Sequence, residues 1–291
     1  ANKSDLDQAV AMIAAAKRPL FYCGGGVINS GPSASKKLAR LVKLTGAPIT
    51  LTLMGLGAFP GSDAQFIGML GMHGTYEANL AMHEADLIIA VGARFDDRIT
   101  GRLADFAPNS KKIHIDIDPS SINKNVQVDL PIIGDVGIVI DQLMRRWKEK
   151  KLHVNRRALK NWWSRISAWQ AKDCLNYSQT KDVIKPQYAI ERLYELTKDR
   201  DCYITTEVGQ HQMWAAQHYG FSASRRWINS GGLGTMGFGL PAAIGVQLAH
   251  PNEQVACITG EASIMMCIQE LSTCKPVSYT HLRAHETRHE L

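Results

Sequence analysis

The residues best suited to chemistry lie in two neighbouring segments in the second half of the chain. Six glycines fall between positions 231 and 245, and the turn Gly260-Glu-Ala-Ser263 follows the apolar run 254–259. Glycine has no Cβ and adopts positive φ, so a glycine-rich backbone can pass close to a bulky ligand. If the apolar run is a buried parallel strand, Glu261 and Ser263 lie at the carboxyl edge of a sheet. This layout predicts a metal-held diphosphate there; the alternative is a glycine-rich segment that packs helices.

A second group of candidate residues lies at the ends of predicted strands in the first half. Asp116 and Asp118 end a strand, where an acidic residue typically bonds the ribose hydroxyls of an adenine dinucleotide. Arg94 follows another strand and is placed to meet a phosphate. His73 is flanked by glycines, which suggests a close backbone approach. Together with Gly24, Gly25 and Gly26, these positions favour a dinucleotide over a mononucleotide.

Each signal in the first half also has a structural interpretation. The three glycines do not form G-x-G-x-x-G and can equally be a plain turn. Asp96, Asp97 and Arg98 can form an ion-pair cluster, and His73 can be an ordinary surface residue of a loop. Asp63, His83 and His114 receive no assignment.

The elements that must position these residues alternate between strands and helices. In the first half we predict strands at 19–23, 47–52, 86–91, 112–118 and 131–133. The predicted helices cover 33–44, 77–84 and 136–147. Strands that end in glycine and alternate with helices predict an α/β fold with a doubly wound parallel sheet. A second α/β pattern begins near Pro186, with a helix to Thr197, a strand at 202–206 and a helix at 213–218.

Length and composition bound the remaining possibilities. The chain has 291 residues, 45% of them hydrophobic, which indicates about two globular domains. No apolar run approaches the ~20 residues of a membrane span, and cysteines without C-x-x-C spacing indicate a reduced, cytoplasmic location. The net charge of +6 comes largely from 145–157. That basic, tryptophan-containing stretch is predicted to be a solvated helix and linker, with nucleic-acid contact as the alternative.

These observations predict four segments. Residues 1–147 form the first domain, 148–185 a linker and 186–277 a truncated second domain. Residues 278–291 bring a cluster of histidines without an apolar run, where a buried strand is expected. We interpret this tail as a non-native processing scar rather than as a metal-binding tract.

Several motifs resemble the catalytic large subunit of acetohydroxyacid synthase (acetolactate synthase), a thiamine-diphosphate-dependent family. The segments 53–60, 70–79, 92–98 and 114–119 resemble its FAD-binding middle domain. The segments 207–214, 230–245 and 268–273 resemble the start of its thiamine diphosphate (ThDP) domain. The resemblance covers about residues 5–276 and implies a doubly wound middle domain followed by an incomplete α/β ThDP domain.

The resemblance also implies roles for particular residues. Those that would line FAD are Gly24, Gly25, Gly26, Thr52, Leu53, Met54, Met72, His73, Gly92, Arg94, Asp97, Asp116, Ile117 and Asp135. Those that would bind ThDP are Val208, Gly209, Gly234, Gly260, Ala262 and Ser263. Gln210, His211 and Met236 would lie near the reacting part of ThDP, with Met236 under the thiazolium, and Glu261 would bind Mg²⁺.

The implied activity is the condensation of two 2-keto acids. Pyruvate with pyruvate would give 2-acetolactate and CO₂, and pyruvate with 2-ketobutyrate would give 2-aceto-2-hydroxybutyrate, in branched-chain amino-acid biosynthesis. The implied assembly is a homodimer or larger form with a regulatory small subunit, without nucleic acid or membrane. The alternatives are a related enzyme, glyoxylate carboligase or pyruvate oxidase, and a non-catalytic FAD-binding module.

The sequence departs from the family pattern in places. Glu261 and Ala262 stand where the family usually has aspartate and glycine, and Thr287 and Arg288 stand near the expected asparagine pair. The family's N-terminal domain, which carries the glutamate that activates ThDP, has no counterpart in this chain. We therefore expect the 291-residue chain to be inactive by itself.

Overall fold

The computed structural model describes residues 1–274, which divide into two compact units. The first unit contains residues 1–176 and 221–224, and the second contains residues 177–220 and 225–274. Each unit is built on its own parallel sheet. The predicted tail at 278–291 lies outside the described residues, and the predicted domain and linker boundaries stay predictions.

The first unit is a six-stranded sheet with helices between its strands. Its strands are β1 (Pro19–Cys23), β2 (Ile49–Leu51), β3 (Phe66–Met69), β4 (Leu87–Val91), β5 (Lys111–Asp116) and β6 (Leu130–Ile133). Its helices are α1 (Lys3–Ala15), α2 (Gly25–Asn29), α3 (Pro32–Thr45), α4 (Tyr76–Glu84), α5 (Asp97–Thr100), α6 (Val136–Glu149) and α7 (Arg156–Gln170). Short 3₁₀ turns cover Leu53–Gly55, Leu103–Asp105 and Pro119–Ser121.

All neighbouring strands of this sheet are parallel, in the order β3-β2-β1-β4-β5-β6. The chain moves outward from β1 in one direction and then outward from β4 in the other. The strand order therefore reverses between β1 and β4, and this is where doubly wound sheets bind ligands. The predicted fold class is confirmed. Every residue of β1 and β4 is buried, as expected for strands covered on both faces.

The sequence did not predict strand β3. Its residues Phe66-Ile-Gly-Met contain Gly68, which has φ 95° and interrupts the apolar run. A side chain at this glycine would clash with Thr75, whose hydroxyl bonds the carbonyl of Ile67 at 2.8 Å. The strand therefore depends on packing against the turn before α4 rather than on local pattern.

Helix α7 covers much of the interval predicted to be a linker, and its apolar side is buried. Trp162 and Ile166 belong to the core of the first unit, with 1% and 0% exposure. The indole nitrogen of Trp162 donates to the carbonyl of Pro19 at 3.1 Å, and that of Trp163 donates to Gly46 at 2.9 Å. Trp162 therefore anchors α7 on strand β1, and Trp163 anchors it at the glycine that directly follows α3. The buried Trp162 is not available for stacking with nucleic-acid bases.

The second unit repeats the strand–helix alternation on a smaller sheet. Its elements are α8 (Pro186–Thr197), β7 (Cys202–Thr206), α9 (Gln210–His218), β8 (Trp227–Asn229), α10 (Gly239–Ala249), β9 (Gln254–Ile258), α11 (Glu261–Met266) and α12 (Leu271–Cys274). The strands are parallel in the order β8-β7-β9. Among residues 1–274, no helix has the length and apolar character to cross a membrane.

Candidate functional site

The first candidate site lies at the carboxyl ends of β1 and β4, where two turns touch through their backbones. The amide of Gly24 donates to Val91 and that of Gly26 donates to Gly92, both at 3.0 Å. A Cβ on Gly26 would lie 2.6 Å from the Cα of Gly92, which itself has φ 57°. Gly24 and Gly26 are thus required by the approach of the two turns. Gly25 meets only Met54, at 3.3 Å.

The loop after β4 carries Arg94 and is held from two sides. His114 on β5 hydrogen-bonds the carbonyl of Ala93 through Nε2 at 2.8 Å, and Asn125 donates to the carbonyl of Phe95 at 3.0 Å. Phe95 has φ 54°, an uncommon value for a non-glycine residue. The two side chains therefore fix a strained loop, and Arg94 stays exposed at its tip.

The acidic residues near Arg94 form the local ion pairs that the sequence suggested as an alternative. Arg94 pairs with Asp96 at 3.0 Å, and Arg98 pairs with Asp97 at 3.1 Å. All four side chains are more than half exposed, so each pair stabilises the fold by only about 0–1 kcal/mol. Water or a ligand phosphate can replace such a partner at little cost.

The aspartates at the ends of β5 and β6 have partly structural roles. Asp116 is buried, and its Oδ1 accepts the amide of Asp118 at 2.9 Å. Asp135 begins α6 and accepts from the amide of Ile138 at 3.0 Å and from the hydroxyl of Ser30 at 2.7 Å. The hydrogen bond from Ser30 holds the pKa of Asp135 below its usual range, against a smaller effect of burial. Both carboxylates keep acceptor capacity beyond these bonds.

Exposed apolar side chains lie at the same edge. Met54, Met72 and Ile117 follow β2, β3 and β5 and are 43%, 66% and 67% exposed. Thr52 directly follows β2, and its amide donates to the carbonyl of Cys23 on β1 at 2.9 Å. Leu53 and His73 lie in the turns after β2 and β3. The residues that the resemblance assigns to FAD thus lie at the last residue of a strand or in the segment that follows it, and their role in binding FAD stays a prediction.

The second candidate site lies at the carboxyl edge of the smaller sheet, where three distant segments meet. A Cβ on Gly234 would lie 3.5 Å from Val208, and one on Gly237 would lie 3.4 Å from the carbonyl of Ser263. A Cβ on Gly260 would lie 3.1 Å from Nδ1 of His211. The glycine-rich segment, the start of α9 and the turn after β9 are therefore one cluster.

The remaining predicted residues of this group lie within the same segments. Gly209 directly precedes α9 and Gln210 is its first residue, and Met236 is 39% exposed beside Gly237. Ala262 lies inside α11 and is not among the residues with positive φ, so the alanine in place of glycine causes no backbone strain.

Glu207 is a central residue of this edge that was not among the residues predicted from the sequence. It follows β7 directly, and its side chain is fully buried. It accepts hydrogen bonds from the hydroxyl of Thr259 at 2.5 Å, the amide of Gly239 at 2.7 Å and Nε2 of His211 at 3.0 Å. An acidic residue immediately after a buried strand was the signal that could have identified it, because the same rule selected Asp116.

The surroundings of Glu207 favour its carboxylate form. Burial raises the pKa of Glu207, but the hydrogen bonds from His211, Thr259 and Gly239 together outweigh it and leave the pKa below its usual value. A buried carboxylate is stable only when it is well hydrogen-bonded. Glu207 is therefore an acceptor at neutral pH and not a proton donor.

The candidate metal ligand Glu261 is exposed at the start of α11. Within residues 1–274, no group of three or more His, Cys, Asp or Glu side chains is arranged to hold a metal ion. Mg²⁺ is commonly bound by one or two carboxylates together with substrate phosphates and water. The donor set at this edge therefore fits Mg²⁺ only in company with a phosphate-bearing ligand.

Comparison with known proteins agrees with the two-unit organisation. The profile described as "Thiamine pyrophosphate enzyme, central domain" matches residues 6–143, and that described as "Thiamine pyrophosphate enzyme, C-terminal TPP binding domain" matches residues 207–277. The first match covers the six-stranded sheet, and the second covers the edge that contains Glu207.

The similar curated proteins are acetolactate synthases. The chain is 52% identical over 272 residues to the acetolactate synthase isozyme 3 large subunit of Escherichia coli, a match of 94% of this chain and 47% of that protein. The large subunit of Haemophilus influenzae is 51% identical, with 94% and 47% covered. Acetolactate synthase 2, chloroplastic, of Nicotiana tabacum is 47% identical, with 94% and 40% covered.

The chain thus spans less than half the length of these relatives. Its similarity runs through both units, and it includes the glycine-rich segment and the turn after β9. On this evidence the chain belongs to the thiamine pyrophosphate enzymes, in the branch of the acetolactate synthase large subunits.

Proposed function

We propose that this chain is part of a ThDP- and FAD-dependent carboligase that condenses two 2-keto acids. The products would be 2-acetolactate from two pyruvates, or 2-aceto-2-hydroxybutyrate from pyruvate and 2-ketobutyrate. The observation that carries the proposal is the meeting of three segments at one sheet edge: the start of α9, the glycine-rich segment and the turn after β9. Their sequence similarity to proteins named acetolactate synthase supports this substrate class.

The residues of the second unit suit the parts of ThDP. The cofactor, when bound, supplies the electron sink that allows a 2-keto acid to lose CO₂ and join a second keto acid. Glu261 would hold Mg²⁺ on the diphosphate, with Gly260, Ala262 and Ser263 beside it. Gly234 permits close backbone approach, since it has φ 69° and only Val208 near its Cβ position.

The exposed side chains of the same edge would contact the reacting half of the cofactor. Met236 and Val208 are each 39% exposed and offer an apolar surface for the rings. Gln210 and His211, in the first turn of α9, would orient the cofactor and the substrate through hydrogen bonds. Exclusion of water by the apolar pair would strengthen those bonds.

FAD binding by the first unit is also part of the proposal. The reversal of strand order between β1 and β4 is typical of dinucleotide sites, and the exposed Met54, Met72 and Ile117 would cover the flat rings. Asp116 would accept from ribose hydroxyls, and Arg94 would meet the phosphates. The net reaction transfers no electrons, so the flavin would have a structural role.

Binding measurements on the 291-residue chain test both cofactor assignments. FAD is titrated by quenching of flavin fluorescence, and ThDP with Mg²⁺ by isothermal titration calorimetry. We expect saturable binding of each ligand. If the folded chain does not bind FAD, the assignment of the first unit is refuted, and if it does not bind ThDP with Mg²⁺, that of the second unit is refuted. For the intact gene product, ¹³C-pyruvate should yield labelled 2-acetolactate and CO₂.

Reactions of the intact protein with pyruvate and with glyoxylate distinguish the proposed synthase from the two related enzymes. A pyruvate oxidase would bleach its flavin when it is mixed anaerobically with pyruvate, whereas the proposed synthase leaves the flavin oxidised. A glyoxylate carboligase would prefer glyoxylate to pyruvate. A non-catalytic flavin module is disfavoured, because residues 207–277 match the TPP-binding domain of these enzymes and a module of that kind does not need such a domain.

The proposal extends to assembly and location. The relatives of Escherichia coli and Haemophilus influenzae are named large subunits, and this supports a complex with a small subunit. The homodimer or larger form and the regulatory role of the small subunit are proposed from the family resemblance alone. Six free thiols support a reducing, cytoplasmic location. Co-purification of the intact protein with a small subunit from the same genome tests the partner.

A further inference from the structure

The carboxylate of Glu207 joins three turns that come from separate parts of the second unit. Gly239 lies 32 residues further along the chain and Thr259 lies 52 residues further. His211 lies one helical turn away, at the start of α9. One fully buried side chain therefore connects the ends of β7 and β9 with the beginning of α10.

Each donor adjoins a segment that the proposed function assigns to ThDP. Thr259 directly precedes Gly260 and Glu261, the turn that would hold the metal and diphosphate. Gly239 lies within the glycine-rich segment, three residues after Met236, and is the first residue of α10. Phe238 provides no side-chain cap for α10, so Glu207 supplies the acceptor that its first turn lacks.

Glu207 also determines which nitrogen of His211 can accept a hydrogen bond from a ligand. A carboxylate can only accept, so Nε2 of His211 must carry a proton where it faces Glu207. In the neutral imidazole, Nδ1 is then the acceptor. This atom faces the turn at residues 260–263 that would hold the metal, called the metal turn below. A Cβ on Gly260 would lie 3.1 Å from Nδ1 of His211.

We propose that Glu207 is a positioning residue, which sets the metal turn, the glycine-rich segment and His211 at fixed distances before the cofactor binds. The inference rests on the proposed function for the meaning of these segments. It does not assign Glu207 as a metal ligand or a proton donor, because the side chain is fully buried and its two oxygens accept from three protein donors. Glu207 acts on the cofactor only through the residues that it holds.

The test uses the full 291-residue chain and compares a change of the acceptor with the loss of a single donor. Glu207→Gln keeps the size of the side chain, but in either orientation of its amide at least one of the three donors faces an NH₂ group. Thr259→Val removes a single donor, and Thr259→Ser restores the hydroxyl. Glu195→Gln, on an exposed position of α8, is the matched control for loss of a carboxylate.

Two readouts do not depend on any cofactor. Hydrogen exchange measures protection of the Gly239 amide, and ¹⁵N NMR of labelled histidine reports whether the proton of His211 stays on Nε2. We expect Glu207→Gln to speed exchange at Gly239 by about tenfold or more and to give a mixture of His211 tautomers. The Thr259 variants and Glu195→Gln should keep the tautomer.

The third readout is calorimetric binding of ThDP with Mg²⁺. We expect its Kd to rise about tenfold to a hundredfold in Glu207→Gln and about fivefold to tenfold in Thr259→Val, with Thr259→Ser and Glu195→Gln close to the unchanged chain. Circular dichroism verifies that each variant is folded. If Glu207→Gln does not fold, the comparison of Thr259→Val with Thr259→Ser decides the question.

The outcomes separate this inference from the proposed function. If the unchanged chain binds no ThDP, the proposed function fails for this chain, and the exchange and tautomer measurements still decide the role of Glu207. If Glu207→Gln folds and leaves Gly239 protection, the His211 tautomer and the Kd all within about twofold of the unchanged chain, the positioning role is refuted. Weaker ThDP binding with unchanged exchange and tautomer would refute it as well.

Discussion

At the scale of single residues, buried polar side chains hold the loops that carry the candidate ligand residues. Glu207 does this in the second unit and His114 in the first. His114 is fully buried, and its Nδ1 has no hydrogen-bond partner among the described residues. An orphaned buried nitrogen is costly to keep. It is tolerated here because the other nitrogen fixes the strained loop that carries Arg94.

We predict that His114 makes the first unit sensitive to mild acid. Burial lowers the pKa of His114, against smaller raising effects of the Ala93 carbonyl and of Asp116, which lies 3.9 Å away. Below about pH 6.5 the unfolded chain therefore takes up a proton that the folded chain resists. The free energy of unfolding should therefore decrease as the pH is lowered below about 6.5, and His114 should contribute a slope of up to about 1.4 kcal/mol per pH unit.

Urea unfolding between pH 7.5 and pH 5, followed by pulsed hydrogen exchange of peptides from β4 and β5, measures this slope. His114→Gln keeps a donor for Ala93 but does not titrate, so its slope should be flatter. His83→Gln is the control, because His83 is exposed on α4. An equal slope in His114→Gln and the unchanged chain would contradict the prediction.

At the scale of elements, α7 shows how local composition can hide a packed helix. The segment is basic and rich in tryptophan, which predicts a solvated connector. In the fold, charged residues such as Arg157 and Lys160 are exposed, while Trp162 packs in the core beside Ile166. An amphipathic helix of this kind is stabilised chiefly by its apolar face.

We predict that Trp162→Ala destabilises the first unit by about 3–5 kcal/mol, the usual cost of removing a buried tryptophan. Trp163→Phe should cost about 1 kcal/mol, since it removes mainly the hydrogen bond to Gly46. Ser167→Ala, on the exposed side of α7, should be close to neutral. Urea denaturation of the three variants measures these differences, and a neutral Trp162→Ala would show that α7 is not docked.

Helix α10 provides a matched pair of glycines with opposite expected effects. Nothing lies within 4 Å of the Cβ position of Gly245, so Gly245→Ala should stabilise the second unit by about 0.5–1 kcal/mol through helix propensity. A Cβ on Gly239 would collide with the carboxylate of Glu207. Gly239→Ala should therefore destabilise the unit and, if Glu207 has the proposed role, weaken ThDP binding.

Thermal unfolding of both α10 variants checks the signs. The prediction concerns the difference between two identical substitutions in one helix, so general effects of alanine cancel. Similar shifts for Gly239→Ala and Gly245→Ala would mean that the contact with Glu207 does not constrain the start of α10.

At the scale of the whole molecule, one rule accounts for both candidate sites. Each unit has a parallel sheet, and the predicted ligand residues of each lie past the carboxyl ends of its strands. Helices that cross between parallel strands leave their turns at that edge, and the turns carry glycines and polar side chains. The two units thus use the same geometry for two different sets of residues.

We predict that the two cofactors protect different parts of the chain. FAD should slow hydrogen exchange at the turns after β1 and β4, and ThDP with Mg²⁺ should slow it at the starts of α9, α10 and α11. At a free ligand concentration of about 100 Kd, each should add about 2.7 kcal/mol to the stability of its unit. Hydrogen-exchange mass spectrometry with each ligand alone measures this, and protection in the opposite pattern would overturn the assignments.

Local sequence patterns were sufficient to predict the fold class and the positions of most strand ends. Strand β1 and helix α8 have the predicted bounds, because glycine, proline and apolar runs act over a few residues. From those ends alone, Asp116, Arg94 and the turn at Gly260 could be placed at a ligand edge, and family motifs supplied their expected roles.

How the segments combine is visible only in the folded chain. The pairing of β3 with β2, the docking of Trp162 under Pro19 and the three donors of Glu207 join residues far apart in the chain. Such contacts depend on which strands become neighbours and in which register, and no local pattern contains that information. The need for glycine at positions 24 and 26 could not be predicted from the local sequence either. It arises because the backbone of Gly92, in the turn after the neighbouring strand, leaves no room for a Cβ at these positions.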